Sequence, residues 1–189
     1  MKTSMLTLAL LTTIAIGALS TRAADTVIVE SRKPDNSPNA PAWTVVSGKW
    51  TLSKNKSRVS RITTLAATNV SVCATNLPIP AFKVSPIGLE VGATYQVEVT
   101  FSTTSTHVAS PDLVVAVAAD GVSANSIPTN TPAFQRAGAD SWIVLGTITP
   151  ETDSPTLTFT YVSGTLSKET RWYADTIRFT RAAPLKKGQ

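Results

Sequence analysis

Apolar residues alternate with hydroxyl-bearing or charged residues in several short stretches of this chain, and this period of two limits the folds open to it. The stretch 156–161 reads TLTFTY and the stretch 94–101 reads TYQVEVTF, so every second residue is apolar in both. Because successive side chains of a strand point to opposite faces of a sheet, this pattern predicts strands with one buried face. The chain is therefore expected to build its core from sheets.

Further strands are predicted where short apolar stretches end at turn residues. They cover the ranges 26–30, 45–52, 66–73, 82–89, 113–119, 142–145 and 176–180. The run 142–145 is expected to be buried on both faces and to stop at Gly146. Two proline-containing ranges, 33–41 and 123–139, are predicted to be loops. No window carries a capped helical stripe of apolar residues. An all-β fold is predicted, an antiparallel β-sandwich or jelly roll.

The N-terminal residues have the three parts of a secretory signal peptide. Lys2 precedes the apolar range 6–19, and small residues follow up to Ala24. We predict a signal peptide over 1–23, one β-sandwich domain over 24–183 and a short basic tail over 184–189. The mature protein is then secreted, extracellular or periplasmic, with no transmembrane anchor after cleavage. The alternative is an uncleaved anchor helix, for which the apolar range is short.

Single cysteine and histidine residues limit the chemistry open to the chain. Cys73 is the only cysteine and His107 the only histidine, so zinc sites and histidine-assisted nucleophiles have too few groups. Cys73 is expected to face the core, with intermolecular pairing as the alternative. Acidic residues near turns, such as Asp112, form no recognisable catalytic pair. The sequence predicts no enzyme, no catalytic residue, no metal site and no cofactor.

Five short motifs follow one another in an order typical of one family. They are TVIVES at 26–31, SGKW at 47–50, TYQVEVTF at 94–101, SWIVLG at 141–146 and RWYADTIRF at 171–179. In this order they resemble the golvesin and xanthan-lyase carbohydrate-binding-type domain, a galactose-binding-like β-sandwich. The matching positions are Glu30, Gly48, Trp50, Tyr95, Val97, Trp142, Leu145, Gly146 and the range 174–179. The resemblance implies an extracellular module of the kind often attached to polysaccharide-degrading enzymes.

One range departs from the family pattern, and the roles of two acidic residues stay open. The range 54–76 is longer and more basic than the family's aromatic and glycine-rich segment. The resemblance also allows terminal-strand acids such as Glu30 to frame a structural calcium ion, but no Asp-x-Asp-x-Asp loop supports one. Asp175 is expected to fix the turn before the last strand, or alternatively to bind a hydroxyl group or a cation.

The aromatic residues divide into two predicted groups. Trp50 and Trp142 lie inside strand patterns and are interpreted as core residues. Trp43, Trp172 and Tyr173 follow loops, where an exposed ring could stack on the apolar face of a sugar. The alternative for this second group is that the rings pack the loops against the domain.

A basic run supplies the second candidate ligand group. Lys54 and Lys56 alternate with polar residues and Arg58 continues the pattern, so in an extended segment the three cations share one face. They suit an anionic polysaccharide or envelope, or they are a solvated face that protects an edge strand. The formal net charge of +5 falls to +3 without the range 1–23, with 15 Lys and Arg against 12 Asp and Glu. This charge is too small to indicate a nucleic-acid binder.

The sequence therefore predicts a secreted, non-catalytic module that recognises a polysaccharide or cell-surface glycan, and its basic run predicts that this ligand is anionic. The alternative is a structural or adhesive cell-envelope protein that binds another protein through a sheet face or edge.

Overall fold

The structure of the protein is a computed structural model that describes residues 25–56, 63–67, 78–100, 108–131, 142–167 and 170–182. Every regular element in these ranges is a strand. The strands are β1 (Thr26–Glu30), β2 (Trp43–Ser47), β3 (Trp50–Lys56), β4 (Thr63–Ala67), β5 (Ala81–Val84), β6 (Tyr95–Thr100), β7 (Val108–Ala109), β8 (Val114–Asp120), β9 (Val122–Asn125), β10 (Asn130–Thr131), β11 (Ile143–Pro150), β12 (Thr156–Ser163), β13 (Thr170–Ala174) and β14 (Thr176–Arg181). Within the described ranges there is no helix long and apolar enough to cross a membrane.

Two five-stranded antiparallel sheets form a β-sandwich, as the sequence predicted. The first sheet has the strand order β1-β14-β6-β11-β9, and the second has the order β10-β8-β12-β5-β2. A third sheet of order β3-β4-β13-β7 is antiparallel except for the β13–β7 pair. Asp175 alone separates β13 from β14, so the chain passes there from the third sheet into the first.

The core lies between the two five-stranded sheets, where their inward side chains meet. In β12, Leu157, Phe159 and Tyr161 are buried, which confirms the alternation read from the sequence. An aromatic cluster fills one region of this core. Trp43 stacks on Phe82 at 5.3 Å between ring centroids, and Phe82 stacks on Phe159 at 4.8 Å. Buried aromatic side chains of this size contribute a large share of the apolar area that stabilises a core.

Several predicted strands are confirmed and one predicted loop is partly wrong. The range 26–30 is β1, and the predicted strand 113–119 corresponds to β8. The range 123–139 was predicted to be a loop, but its beginning lies in β9, which pairs with β11, and Asn130 begins β10. Both are edge strands of four residues or fewer, too short for a period of two to make them recognisable.

Strand β11 does not stop at Gly146, as the sequence had suggested, but continues to Pro150. A bulge between Val144 and Gly146 shifts its register against β6. A Cβ atom at Gly146 would lie 2.9 Å from both Cα and N of Ile127, so the missing side chain lets the 126–127 backbone pack onto the strand. The strand is also not buried on both faces, because Val144 is 56% exposed.

The range 45–52, predicted as one strand, is divided by a turn at Gly48 between β2 and β3. The Gly48 φ of 84° is in the left-handed region that favours glycine, and a Cβ there would lie 2.5 Å from the Pro80 Cα. The turn brings Trp50 back against the aromatic cluster, where its ring centroid is 5.1 Å from that of Trp172.

Candidate functional site

The outer face of the first sheet, opposite the core, carries a row of four residues that crosses four strands. Ile28 of β1 is the register partner of Arg178 in β14, and Arg178 is the partner of Glu98 in β6. Glu98 is in turn the partner of Val144 in β11. Because neighbouring strands lie about 4.8 Å apart, the row is about 14 Å long. Its two ends, Ile28 and Val144, are exposed apolar side chains.

A second row beside the first consists of hydrogen-bonding side chains. Thr26 pairs with Thr180, Thr180 with Gln96, and Gln96 with Thr147. The Thr147 hydroxyl also lies 2.9 Å from the hydroxyl of Ser126. This part of the face presents hydroxyl and amide groups, each of which can donate and accept hydrogen bonds.

The centre of the outer face is an arginine held between a carboxylate and an indole ring. Arg178 Nε donates to Glu98 Oε2 at 2.7 Å, and Glu98 is buried. The guanidinium carbon of Arg178 lies 4.0 Å from the ring centroid of Trp142. The Thr180 hydroxyl lies 3.5 Å from the same Glu98 oxygen. A charge-assisted hydrogen bond and a cation–π contact together fix the guanidinium in one orientation.

We call this surface the Trp142 face. It consists of the first row, the second row and the indole, namely Thr26, Ile28, Gln96, Glu98, Trp142, Val144, Thr147, Arg178 and Thr180. Apolar groups, fixed donors and fixed acceptors on one flat surface suit a ligand that has apolar patches and many hydroxyl groups.

The prediction that Trp43, Trp172 and Tyr173 lie at exposed loop edges is wrong. Trp43 is in β2 and 3% exposed, while Trp172 and Tyr173 are in β13 and 0% and 2% exposed. Each indole belongs to the aromatic cluster, because burying so large an apolar surface stabilises the sandwich more than an exposed position would. A ring without exposed surface cannot stack on a sugar in this conformation.

The predicted basic ligand group is only partly within the described ranges. Lys54 and Lys56 lie in β3, whose pairing with β4 shifts register between Leu52 and Lys56. Arg58 lies outside the described residues, as do Cys73 and His107. A ligand role for the three cations stays a prediction.

Three residues that match the family motifs, Trp50, Asp175 and Glu30, lie in strands or directly between two strands. Trp50 is half-buried against the core, as interpreted, and its Nε1 donates to the Ser47 carbonyl at 2.8 Å. Asp175 is buried; its Oδ1 accepts from the Thr176 hydroxyl at 3.0 Å and its carbonyl accepts from the Ser31 amide at 2.9 Å. Glu30 ends β1, opposite Thr176.

Acidic groups in the described ranges form no cluster that could hold a metal ion. No three His, Cys, Asp or Glu side chains of these ranges come together as a metal site would require. The Asp112 carboxylate accepts hydrogen bonds from the Ser110 hydroxyl at 2.8 Å and from the amide and hydroxyl of Thr165. These bonds, led by the Thr165 amide, lower the pKa of Asp112 to about 2. The Asp112 carboxylate therefore links the loop before β8 to the loop after β12, which contains Thr165.

Trp142 was interpreted as a core residue, and this was the main error about the site. Its indole is half-buried and lies under Arg178 on the outer face. One signal in the sequence could have indicated this position. Arg178 stands between the core residues Ile177 and Phe179, so its side chain must point outward, where it needs a partner.

Comparison with solved structures identifies the fold in another protein. A region of a Paenibacillus xanthan lyase shares it. The match has a TM-score of 0.58 at 16% sequence identity and covers 84% of this chain but only 13% of the lyase chain. No protein-family model matches the sequence, and no curated protein matches it significantly. At this identity the likeness shows the fold alone, so the jelly-roll arrangement and the golvesin-type family stay predictions.

Proposed function

We propose that this protein is a non-catalytic module that binds a polysaccharide or cell-surface glycan through the Trp142 face. The observation that carries the proposal is the arrangement of Trp142, Arg178 and Glu98 in the middle of an otherwise hydroxyl-rich sheet surface. An indole edge can contact the apolar face of a pyranose while fixed donors and acceptors bind its hydroxyl groups. The groups are held before a ligand arrives, which reduces the entropic cost of binding.

The likeness to a small region of a xanthan lyase supports this proposal. A region of 13% of the lyase chain can be an accessory module rather than the catalytic centre. We propose that the golvesin-type domain is the family concerned and that its sandwich spans 24–183. In the same proposal the range 1–23 is a signal peptide, and the protein is secreted and acts outside the cell or in the periplasm.

Affinity electrophoresis through gels that contain single polysaccharides tests the proposal. We expect at least one polysaccharide to retard the wild type and the variant Val144→Asn to lose much of that retardation. The matched control is Val46→Asn, since Val46 is 54% exposed but lies in β2 of the second sheet, and its retardation should stay at the wild-type value. If no polysaccharide in a broad panel retards the wild type, the proposed function is wrong.

A second candidate function is a structural or adhesive protein that binds another protein through a sheet edge. It is favoured by the exposed apolar side chains Val45, Val46 and Ile79, which lie at or beside β2, the edge strand of the second sheet. Unpaired edge strands with apolar residues and few charges are suited to strand addition. Chemical cross-linking of the wild type and of Val45→Lys to envelope proteins tests it, and equal products from both would contradict it.

A further inference from the structure

The charges on the outer face of the first sheet almost cancel. Among the outward positions of β1, β14, β6 and β11, the described charged residues are one cation, Arg178, and two anions, Glu98 and Glu30. The cation is also the direct ion-pair partner of Glu98 at 2.7 Å. The described residues of the face therefore offer no excess of positive charge to an anionic ligand.

Arg178 keeps donor groups that the ion pair does not use. Its Nε donates to Glu98, and among the described residues its Nη groups have no hydrogen-bond partner, while the side chain is 28% exposed. A guanidinium presents its donors in a fixed plane, so the Nη groups can donate to two neighbouring hydroxyl oxygens.

A ligand carboxylate at the same position would meet an unfavourable field. It would stand close to the buried Glu98 carboxylate, whose charge already neutralises the guanidinium. Like charges brought together at an interface oppose binding strongly. Ligand hydroxyl groups carry no charge, and they can also bond to the neighbouring threonine and glutamine side chains of the second row.

From these observations we infer that the Trp142 face selects an uncharged glycan with neighbouring hydroxyl groups and rejects one that bears carboxylates there. The inference rests on the proposed function and names the chemical class of the ligand. It opposes the expectation of an anionic ligand from the basic run, of which Lys54 and Lys56 lie in a different strand, β3. Glu98 is the specificity-determining residue, because it sets the charge of the site.

The experiment compares a neutral galactomannan with a polyuronate of similar length by affinity electrophoresis at low and high salt. Only the part of the retardation that Trp142→Ala removes is assigned to this face. We expect the wild type to bind the galactomannan in this Trp142-dependent way and without salt dependence. The variant Glu98→Gln keeps the shape of the site but frees the charge of Arg178, so it should bind the polyuronate at least tenfold more strongly than the wild type does, and only at low salt.

A second variant tests the same inference if Glu98→Gln fails to fold. Val144→Lys adds a cation beside Glu98 at an exposed position and should also gain binding of the polyuronate. Trp142-dependent binding of the polyuronate by the wild type, or no gain in either folded variant, would overturn the inference while leaving the proposed function in place. Absence of Trp142-dependent binding of the galactomannan would overturn the inference, whereas only the absence of retardation by every polysaccharide of the broad panel would overturn the proposed function as well.

Discussion

The guanidinium carbon of Arg178 lies 4.0 Å from the centroid of the Trp142 ring, although Arg178 is in β14, Trp142 directly precedes β11, and β6 separates these two strands. The contact spans the strand that carries Glu98, so the indole, the guanidinium and the carboxylate form one unit on three strands. A sheet fixes the spacing of its strands, and this unit is therefore rigid before any ligand binds.

Replacement of Trp142 should weaken ligand binding strongly but lower the stability of the fold only slightly. Trp142→Ala should weaken binding of the retained polysaccharide about tenfold, because the apolar contact and the support for Arg178 are both lost. The free energy of unfolding should fall by only about 1 kcal/mol, the contribution of a partly exposed cation–π contact. Urea unfolding followed by circular dichroism and affinity electrophoresis measure the two effects. Unchanged binding by a folded variant would exclude Trp142 from the site.

Replacement of Trp172 should, in contrast, lower the stability of the fold strongly. Its side chain is fully buried and contacts Trp50 and Phe82. Trp172→Ala should lower the free energy of unfolding by about 3–5 kcal/mol through the cavity that it leaves. Urea titration of the purified variant measures this loss. A loss below about 1 kcal/mol would mean that the ring is not part of the core.

The Asp112 contacts predict how stability depends on pH. The folded protein lowers the pKa of Asp112 from 3.8 to about 2, so the ionised carboxylate favours the folded state. This stabilisation is present above pH 3.8 and is lost as the pH falls toward 2. Asp112→Asn should therefore lose stability at neutral pH and show a smaller decrease between pH 4 and pH 2. Thermal unfolding across this range measures both, and equal pH slopes for the two proteins would contradict the assignment.

The close backbone contact at the bulge in β11 predicts that a single methyl group added at Gly146 lowers the free energy of unfolding. In Gly146→Ala the new Cβ would approach backbone atoms of Ile127, which cannot rotate away as a side chain would. We expect a loss of about 1–3 kcal/mol in the free energy of unfolding, typical of overpacking. Ser126→Ala measures separately what the hydrogen bonds of this segment contribute, because it removes the hydroxyl that accepts from the Thr147 amide at 2.8 Å without adding volume. Stability of Gly146→Ala equal to that of the wild type would show that the segment moves away freely.

The sequence predicted the parts of the fold that depend on side-chain period. Strands β1, β6, β12 and β14 alternate apolar and polar residues, and each is present with the predicted face buried. Strands β9 and β10 were missed because their positions depend on pairing with other strands, which no local pattern records.

The candidate site could not be predicted in the same way. Whether an indole faces the core or solvent is decided by strands that are distant in sequence. Trp43 and Trp172 follow loops in the sequence but pack into the aromatic cluster, whereas Trp142 stands in an apolar run and lies on the outer face. The pairing of Glu98 with Arg178, 80 residues later, needed the register of two strands.

The most direct test of the central claim is a map of the binding surface by two-dimensional NMR. Oligosaccharides from the polysaccharide that retards the protein are titrated into the labelled chain. We predict that the indole N–H of Trp142 and the Nε–H of Arg178 shift with saturation, together with the amides of Gln96 and Thr147, while the indole N–H groups of Trp43 and Trp172 stay in place. Saturable shifts confined to β2 or β3, with the Trp142 and Arg178 signals unchanged, would contradict the assignment of the Trp142 face as the glycan site.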